Sequence, residues 1–257
     1  MMHASLRRRI SNYGSLVLGL ALLGGVSTAL APSGHAAAAV RSDQSIAIRD
    51  GRNLYLQGCS TCHGLNNQGG AGGPSLIGVG SAAVVYQVES GRMPLAAAAA
   101  QAQRKKVRYT IGQVDQLGAY IQSVGGGPQI PSGNLTDGDL AMGGELFRTN
   151  CSSCHNFAGA GGALTYGKYA PALTPASARV IYGAMLSGPE SMPRFSNSQL
   201  NLQQKAAIAR YAQYVSHAAD PGGAGLGHYG PVPEGLVIFL VGIGALVVIT
   251  LWIGARA

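Results

Sequence analysis

Charge is scarce in this chain: Asp, Glu, Lys and Arg together make up 11% of its 257 residues. That scarcity excludes a disordered acidic or basic tail protein, which stays unfolded through high charge and few apolar groups. Aromatics reach only 6%, with one tryptophan, and they do not interleave with Arg or Lys as nucleic-acid surfaces require. Acidic residues number ten against 18 Lys and Arg, for a formal net charge of +8. Five of the basic residues, Arg7, Arg8, Arg9, Arg41 and Arg256, flank hydrophobic runs near the ends, leaving 13 against ten in between. Basic residues at such places set membrane orientation rather than a phosphate-binding face. No nucleic-acid partner is expected.

Apolar residues are plentiful by contrast, at 47% with a mean hydropathy of +0.17. Part of the surplus lies at 235–254, GLVIFLVGIGALVVITLWIG, 20 residues without a charge. An α-helix needs ~20 such residues to cross the hydrocarbon core. Glu234 precedes the run, Arg256 follows it, and Trp252 suits an interfacial position. The positive-inside rule then puts the C-terminus in the cytoplasm and the preceding residues outside. At the other end, Arg7-Arg8-Arg9 precede 31 residues, 10–40, with no formal charge. The segment 1–42 reads either as a signal peptide cleaved near GHAAAAV or as a retained membrane helix.

Between the ends the chain repeats itself at a spacing of 92 residues. GRNLYLQGCSTCHG from Gly51 matches GGELFRTNCSSCHN from Gly143. In each, a glycine stands eight residues before the first cysteine and an aromatic, Tyr55 or Phe147, stands four before it. GPSL at 73–76 corresponds to APAL at 170–173. VVYQVESGRMP, ending at Pro94, corresponds to VIYGAMLSGPESMP, ending at Pro193. Each copy closes on a helical pattern, with Tyr120 and Tyr211 in equivalent places. The linker GGGPQIPSGN separates two domains, 43–127 and 128–219, and a second Gly/Pro-rich linker occupies 220–234. Each domain is small for an unaided core, so a further group is expected to fill it.

Only four cysteines occur, and all lie in Cys59-Ser-Thr-Cys62-His63 and Cys151-Ser-Ser-Cys154-His155. C-x-x-C-H is the attachment signal of c-type haem. Two sulfurs form thioethers to the haem vinyl groups while the adjacent histidine reaches the iron. A disulfide framework would not space its cysteines this way, a thioredoxin-type pair needs a strand–helix–strand setting that is missing, and a zinc centre would have to join both pairs. Two covalently bound haem c groups are therefore expected.

Methionine opposite histidine is the arrangement of electron-transferring cytochromes c and raises the potential. Met93 is the only methionine between Cys62 and the linker. In the second copy Met185 lies 30 residues after His155, the separation of Met93 from His63, whereas Met192 lies 37 after it but keeps the Met-Pro pair. Met192 is preferred, because Met185 falls in the apolar pattern VIYGAML and reads as core. Met142 also reads as structural. His3, His35, His217 and His228 have no motif around them and read as surface or linker residues. The basic run at 104–108 lies in an insertion of the first copy and reads as a solvated loop, with a docking patch for an acidic partner as the sharper alternative.

These residues resemble the dihaem cytochrome c subunit of the actinobacterial cytochrome bcc complex, a menaquinol–cytochrome c reductase. The resemblance rests on CSTCH and CSSCH, GPSLIGVG, VYQVESGRMP, GGELFRTNCSSCHNFAGAGGAL, GKYAPAL, SMPRFSNSQL and the final LWIGARA, and it covers nearly the whole chain. It implies an all-α fold of two tandem class I cytochrome c domains, with Pro74 and Pro171 holding their carbonyls near His63 and His155. It also implies a cytochrome b subunit, a Rieske iron–sulfur subunit as electron donor, an aa-type cytochrome c oxidase as acceptor, and a dimeric complex in the cell membrane. The competing readings are an electron-acceptor subunit of a periplasmic dehydrogenase, a dihaem peroxidase or gas sensor, and a scaffold whose haems only stabilise small domains. The Met-Pro at both downstream positions argues against the peroxidase, which needs an open iron.

Overall fold

The computed structural model describes residues 14, 17–22, 34–97, 99–217, 225–226 and 231–256. They belong to two compact units, Met1–Ile46 and Ala47–Ala257. In the first unit the described residues are helical. The signal or anchor expected over 1–42 lies largely outside the described residues.

Along the chain come α1 (Gly34–Gly58), the one-turn α2 (Ser60–His63), and α3 (Ser81–Val84), which runs into a π-helical segment, Val85–Glu89. There follow α4 (Ile111–Ser123), α5 (Leu140–Asn150), the one-turn α6 (Ser152–His155), α7 (Ala178–Ser187) and α8 (Leu202–His217). Between α6 and α7 lies an antiparallel ladder of β1 (Gly162–Ala163) and β2 (Tyr169–Ala170). The chain is thus mostly helical, with one small ladder that an all-α expectation does not contain. The physical reason is the longer connection of the second repeat, whose backbone groups need partners of their own.

Local sequence accounts for the helix ends. Thr110 opens α4 with a capping box, its Oγ1 accepting from the Gln113 N–H while Gln113 Oε1 accepts from the Thr110 N–H. Asp139 and Ser177 cap α5 and α7 in the simpler way, each side chain accepting one free backbone N–H. Val114, Leu117, Tyr120 and Ile121 recur at helical spacing and form the buried face of α4.

Each repeat is held by its first and last helices crossing at a glycine. A Cβ on Gly51 would lie 1.9 Å from Gln116 O, and one on Gly143 would lie 2.1 Å from Ala207 O. Beside each crossing two rings meet alike: Tyr55 and Tyr120 at 5.3 Å and 51°, Phe147 and Tyr211 at 5.4 Å and 49°. Two apolar clusters result. Tyr55, Val85, Val88, Val114, Leu117, Tyr120 and Ile121 form one. Phe147, Val180, Ile181, Tyr182, Met185 and Ile208 are among those forming the other, which also takes in Ala82 and Tyr86 from the first repeat. Fully burying a side chain such as Leu117 contributes about 1.5–3 kcal/mol.

The last helix begins at Pro231 and passes through a π-helical segment to Gly254. Val232–Gly254, 23 residues, is long and apolar enough to cross a membrane. It starts earlier than the expected 235–254. Proline suits the first turn, where its missing N–H is no loss, and Glu234 there faces the positive end of the helix dipole. Arg256 stacks on Trp252 at 4.7 Å.

Candidate functional site

Both C-x-x-C-H motifs sit at the same backbone break. Cys59 follows α1 with φ −128 and ψ −34, and Cys151 follows α5 with φ −122 and ψ −37. One helical turn then carries the rest of each motif. The His63 N–H donates to Cys59 O at 3.0 Å and the His155 N–H to Cys151 O at 2.9 Å. Residues three and four apart share a face of a helical turn, so both sulfurs and the imidazole are brought to one side. All four cysteines are free. Among the described residues no group of three or more His, Cys, Asp or Glu could hold a metal ion, so the two pairs do not converge on one centre.

The imidazoles are held alike. His63 Nδ1 lies 2.8 Å from Pro74 O, and His155 Nδ1 lies 3.0 Å from Pro171 O. A carbonyl only accepts, so Nδ1 carries the proton and Nε2 keeps its lone pair for a metal. Such a bond fixes the ring's orientation and raises its basicity as a ligand. Burial lowers the pKa of His155, partly offset by the bond to Pro171, which favours the neutral, ligating form. Burial, aided by the neighbouring Cys62, pushes the Cys59 thiol up to about 11; burial and Cys154 push Cys151 up to about 12. Cys62 and Cys154 are exposed, so each motif offers one sheltered and one open sulfur.

In the second repeat these groups line a cleft of about 1030 Å³, counting its open mouth. Cys151, Cys154, His155, Pro171, Met185 and Met192 all reach it. Met185 is 1% exposed within α7; Met192, half-buried, stands in the loop that follows, its N–H donating to Pro189 O at 2.9 Å. In the first repeat Cys59 and Met93 pack against the same apolar cluster, beside Tyr55 and Leu117. The Met93 N–H donates to Gln87 O at 2.9 Å. Of the remaining histidines, His217 is exposed with Nδ1 on Gln213 O, His3 and His228 lie outside the described residues, and only the backbone of His35 is described.

Four residues of the first repeat, Tyr86, Arg92, Gln101 and Arg104, also line the second repeat's cleft. The motif reading passes over them, although the surplus of basic residues in the middle of the chain was a signal that an anion is missing. The insertion at 104–108 is only partly a solvated loop. Lys106 and Arg108 are exposed, but Arg104 and Lys105 are half-buried. Lys105 Nζ donates to Arg92 O at 2.9 Å and to Pro94 O at 2.6 Å.

The residues fit a haem c on observations of the site itself. Each imidazole is turned by a proline carbonyl with Nε2 left over, and the cleft wall is largely apolar, with Phe147, Ile181 and Ile208. A buried guanidinium, Arg92, has Nε and Nη1 without a hydrogen-bond partner, as expected where an anionic group completes the site.

Comparison with known proteins agrees with this chemistry. A family model described as "Cytochrome C oxidase, cbb3-type, subunit III" matches residues 46–121 and again 138–211. The cytochrome bc1 complex cytochrome c subunit of Mycobacterium tuberculosis is 46% identical over 261 residues, 98% of this chain and 93% of the relative. The subunit of that name in Corynebacterium efficiens is 45% identical over 270 residues, covering 98% and 91%. In Mycobacterium leprae the identity is 46% over 251 residues, covering 94% and 86%. With its paired attachment motifs and this likeness along almost its whole length, the chain belongs to the family of cytochrome bc1 complex cytochrome c subunits.

Proposed function

We propose that the chain binds two haem c groups in two tandem class I cytochrome c domains, 43–127 and 128–219. It acts as the dihaem cytochrome c subunit of a respiratory menaquinol–cytochrome c reductase. The observation that carries the reading is one geometry repeated: His63 on Pro74 O at 2.8 Å and His155 on Pro171 O at 3.0 Å, each beside a C-x-x-C pair. Bound haem supplies a one-electron iron couple. Cys59 and Cys62, and Cys151 and Cys154, hold it through thioethers, and His63 and His155 ligate it. Met93 and Met192 are the opposite ligands; Met185 is taken up by the core of α7.

Electrons pass from a Rieske iron–sulfur subunit through the two domains to the copper centre of an aa-type cytochrome c oxidase, beside a cytochrome b subunit in a dimeric complex. The names of the relatives support the reductase. Val232–Gly254 anchors the chain in the cell membrane, with Arg256 marking the cytoplasmic side and the haem domains outside. Tethering both domains on one chain keeps the second at high effective concentration near the first.

The test is oxygen uptake by the C-terminally tagged protein extracted in mild detergent and supplied with a reduced menaquinone analogue. Rapid uptake is expected. No uptake from a native assembly with two intact haems overturns the reading in favour of an electron acceptor for a periplasmic dehydrogenase.

A further inference from the structure

Two cations from the first repeat reach into the cleft of the second. Arg92 is 2% exposed, with its guanidinium 4.7 Å over the Tyr86 ring. Its Nε and Nη1, and the Nε of the half-buried Arg104, are buried without hydrogen-bond partners. A buried guanidinium without a countercharge is costly, by several kcal/mol per ion, so such groups are retained where an anion meets them.

The protein does not supply that anion. Among the described residues, neither Arg92 nor Arg104 takes part in a salt bridge. Glu89 accepts from Arg179 and Ser177, and Asp115 accepts from Arg179. Glu190 also lines the cleft but is exposed, and Lys168 lines it as a third cation. Burial lowers the Arg104 pKa and Arg92 lowers it further, as two like charges in one dry cleft should.

The segment bearing Arg104 is fastened to the cleft's rim. Gln101 Nε2 donates to Tyr169 O at 2.7 Å and the Tyr169 N–H donates to Gln101 Oε1 at 3.0 Å. Tyr169 Oη donates to Gln103 Oε1 at 2.8 Å. Lys105 ties the same segment back to Arg92. The insertion of the first repeat thus carries guanidinium groups into the second repeat's site.

We propose that Arg92 and Arg104 bind the propionate carboxylates of the haem held by Cys151, Cys154 and His155. The first repeat thereby completes the second repeat's site. The inference rests on the dihaem reading given above. A guanidinium fork matches a carboxylate in two parallel hydrogen bonds. Arg92 also directly precedes Met93, so the backbone of the first site's candidate ligand is continuous with the second site's anion clamp. Cations at the carboxylates favour the reduced iron, and removing one shifts the equilibrium toward the oxidised form.

The experiment is a spectroelectrochemical titration of the full chain in detergent, comparing the natural protein with Arg92→Gln, Arg92→Lys and Arg104→Gln. The same one of the two potentials is expected to fall in both glutamine variants. The fall corresponds to about tenfold in the redox equilibrium, ~59 mV for a one-electron couple, with Arg92→Lys falling less than Arg92→Gln. The potential that moves should be the one missing from a Cys151→Ala/Cys154→Ala chain. Should Arg92→Gln fail to fold, Arg104→Gln decides alone. Two intact haems with neither potential moved by Arg104→Gln overturn the clamp and leave the carrier reading standing. A shift confined to the first haem also overturns it. A natural chain without haem on Cys151 and Cys154 overturns the carrier reading and the clamp together.

Discussion

Arg179 in α7 donates from Nε to Glu89 Oε2 at 3.1 Å, joining the second repeat to the π-helical segment of the first. The Glu89 side chain is 13% exposed, and its other oxygen accepts from Ser177 Oγ at 2.7 Å. Arg179→Ala leaves that sheltered carboxylate without its charged partner, at an expected cost of about 1–3 kcal/mol. The second arm of Arg179 reaches Asp115 at 2.6 Å, but that carboxylate is 53% exposed. Asp115→Asn should therefore cost under about 1 kcal/mol. Urea unfolding of the two variants checks the order; equal costs would contradict it.

Gly183 brings α7 against α3. A Cβ there would lie 2.8 Å from Ala82 O and 3.5 Å from Tyr86 N. Gly183→Ala should cost about 1–3 kcal/mol by overpacking, and Gly183→Val more. Gly112, near the start of α4, has nothing within 4 Å of a Cβ. Gly112→Ala should stabilise by about 0.5–1 kcal/mol. Thermal unfolding of the three variants should move Tm in these opposite directions.

The helix crossings make a paired prediction. Gly51→Ala and Gly143→Ala each place a methyl against a carbonyl oxygen, 1.9 Å from Gln116 O and 2.1 Å from Ala207 O. A backbone atom cannot swing aside, so each variant should lose folded, haem-retaining protein, and to a similar extent. Haem content of the purified variants measures this. One glycine tolerated and the other not would mean that the two crossings are not equivalent.

That equivalence was legible in the sequence because a repeat states each local rule twice. Gly51 with Gly143, Tyr55 with Phe147 and Tyr120 with Tyr211 stand at matching distances from C-x-x-C-H, and their crossings match in angle as well. The cleft's cations were not legible in the same way. Arg92 and Arg104 act on the other repeat, and docking between repeats leaves no periodic trace in either one. The insertion after Pro94 reads as a solvated loop because its residues are polar. Only the inward turn of Arg104 and Lys105 gives it a task. The early start of the last helix at Pro231 was hidden for a simpler reason: proline breaks helix interiors but fits their first turn.

Lys205 gives a prediction in pH. It is fully buried, with Nζ donating to Asn197 Oδ1 at 2.8 Å and Leu200 O at 2.7 Å. Burial lowers its pKa below the ordinary 10.5. Between the folded value and 10.5 the unfolded chain binds the extra proton, so this residue makes stability rise with pH through that window. Lys205→Met removes that contribution. Urea unfolding at neutral pH and just under 10.5 should show a smaller gain with pH in the variant than in the natural protein.

The methionines of the second repeat separate packing from ligation. Met185 and Met192 both line the cleft, but Met185 is 1% exposed in the core cluster of α7, whereas Met192 packs only at its edge. If Met185 serves packing, Met185→Leu keeps the volume and costs under about 1.5 kcal/mol, with the haem spectrum unchanged. If Met192 is the ligand, Met192→His exchanges a thioether for an imidazole, so the spectrum should change and the second potential should fall, since methionine is the ligand that raises it. The first haem, opposite Met93, serves as the internal reference in the same titration. A Met192→His chain with an unaltered spectrum, beside a Met185→Leu chain that has lost its methionine ligation, would reverse the assignment. Ligation would then belong to the helix, and the Met-Pro pair would be a feature of the loop alone.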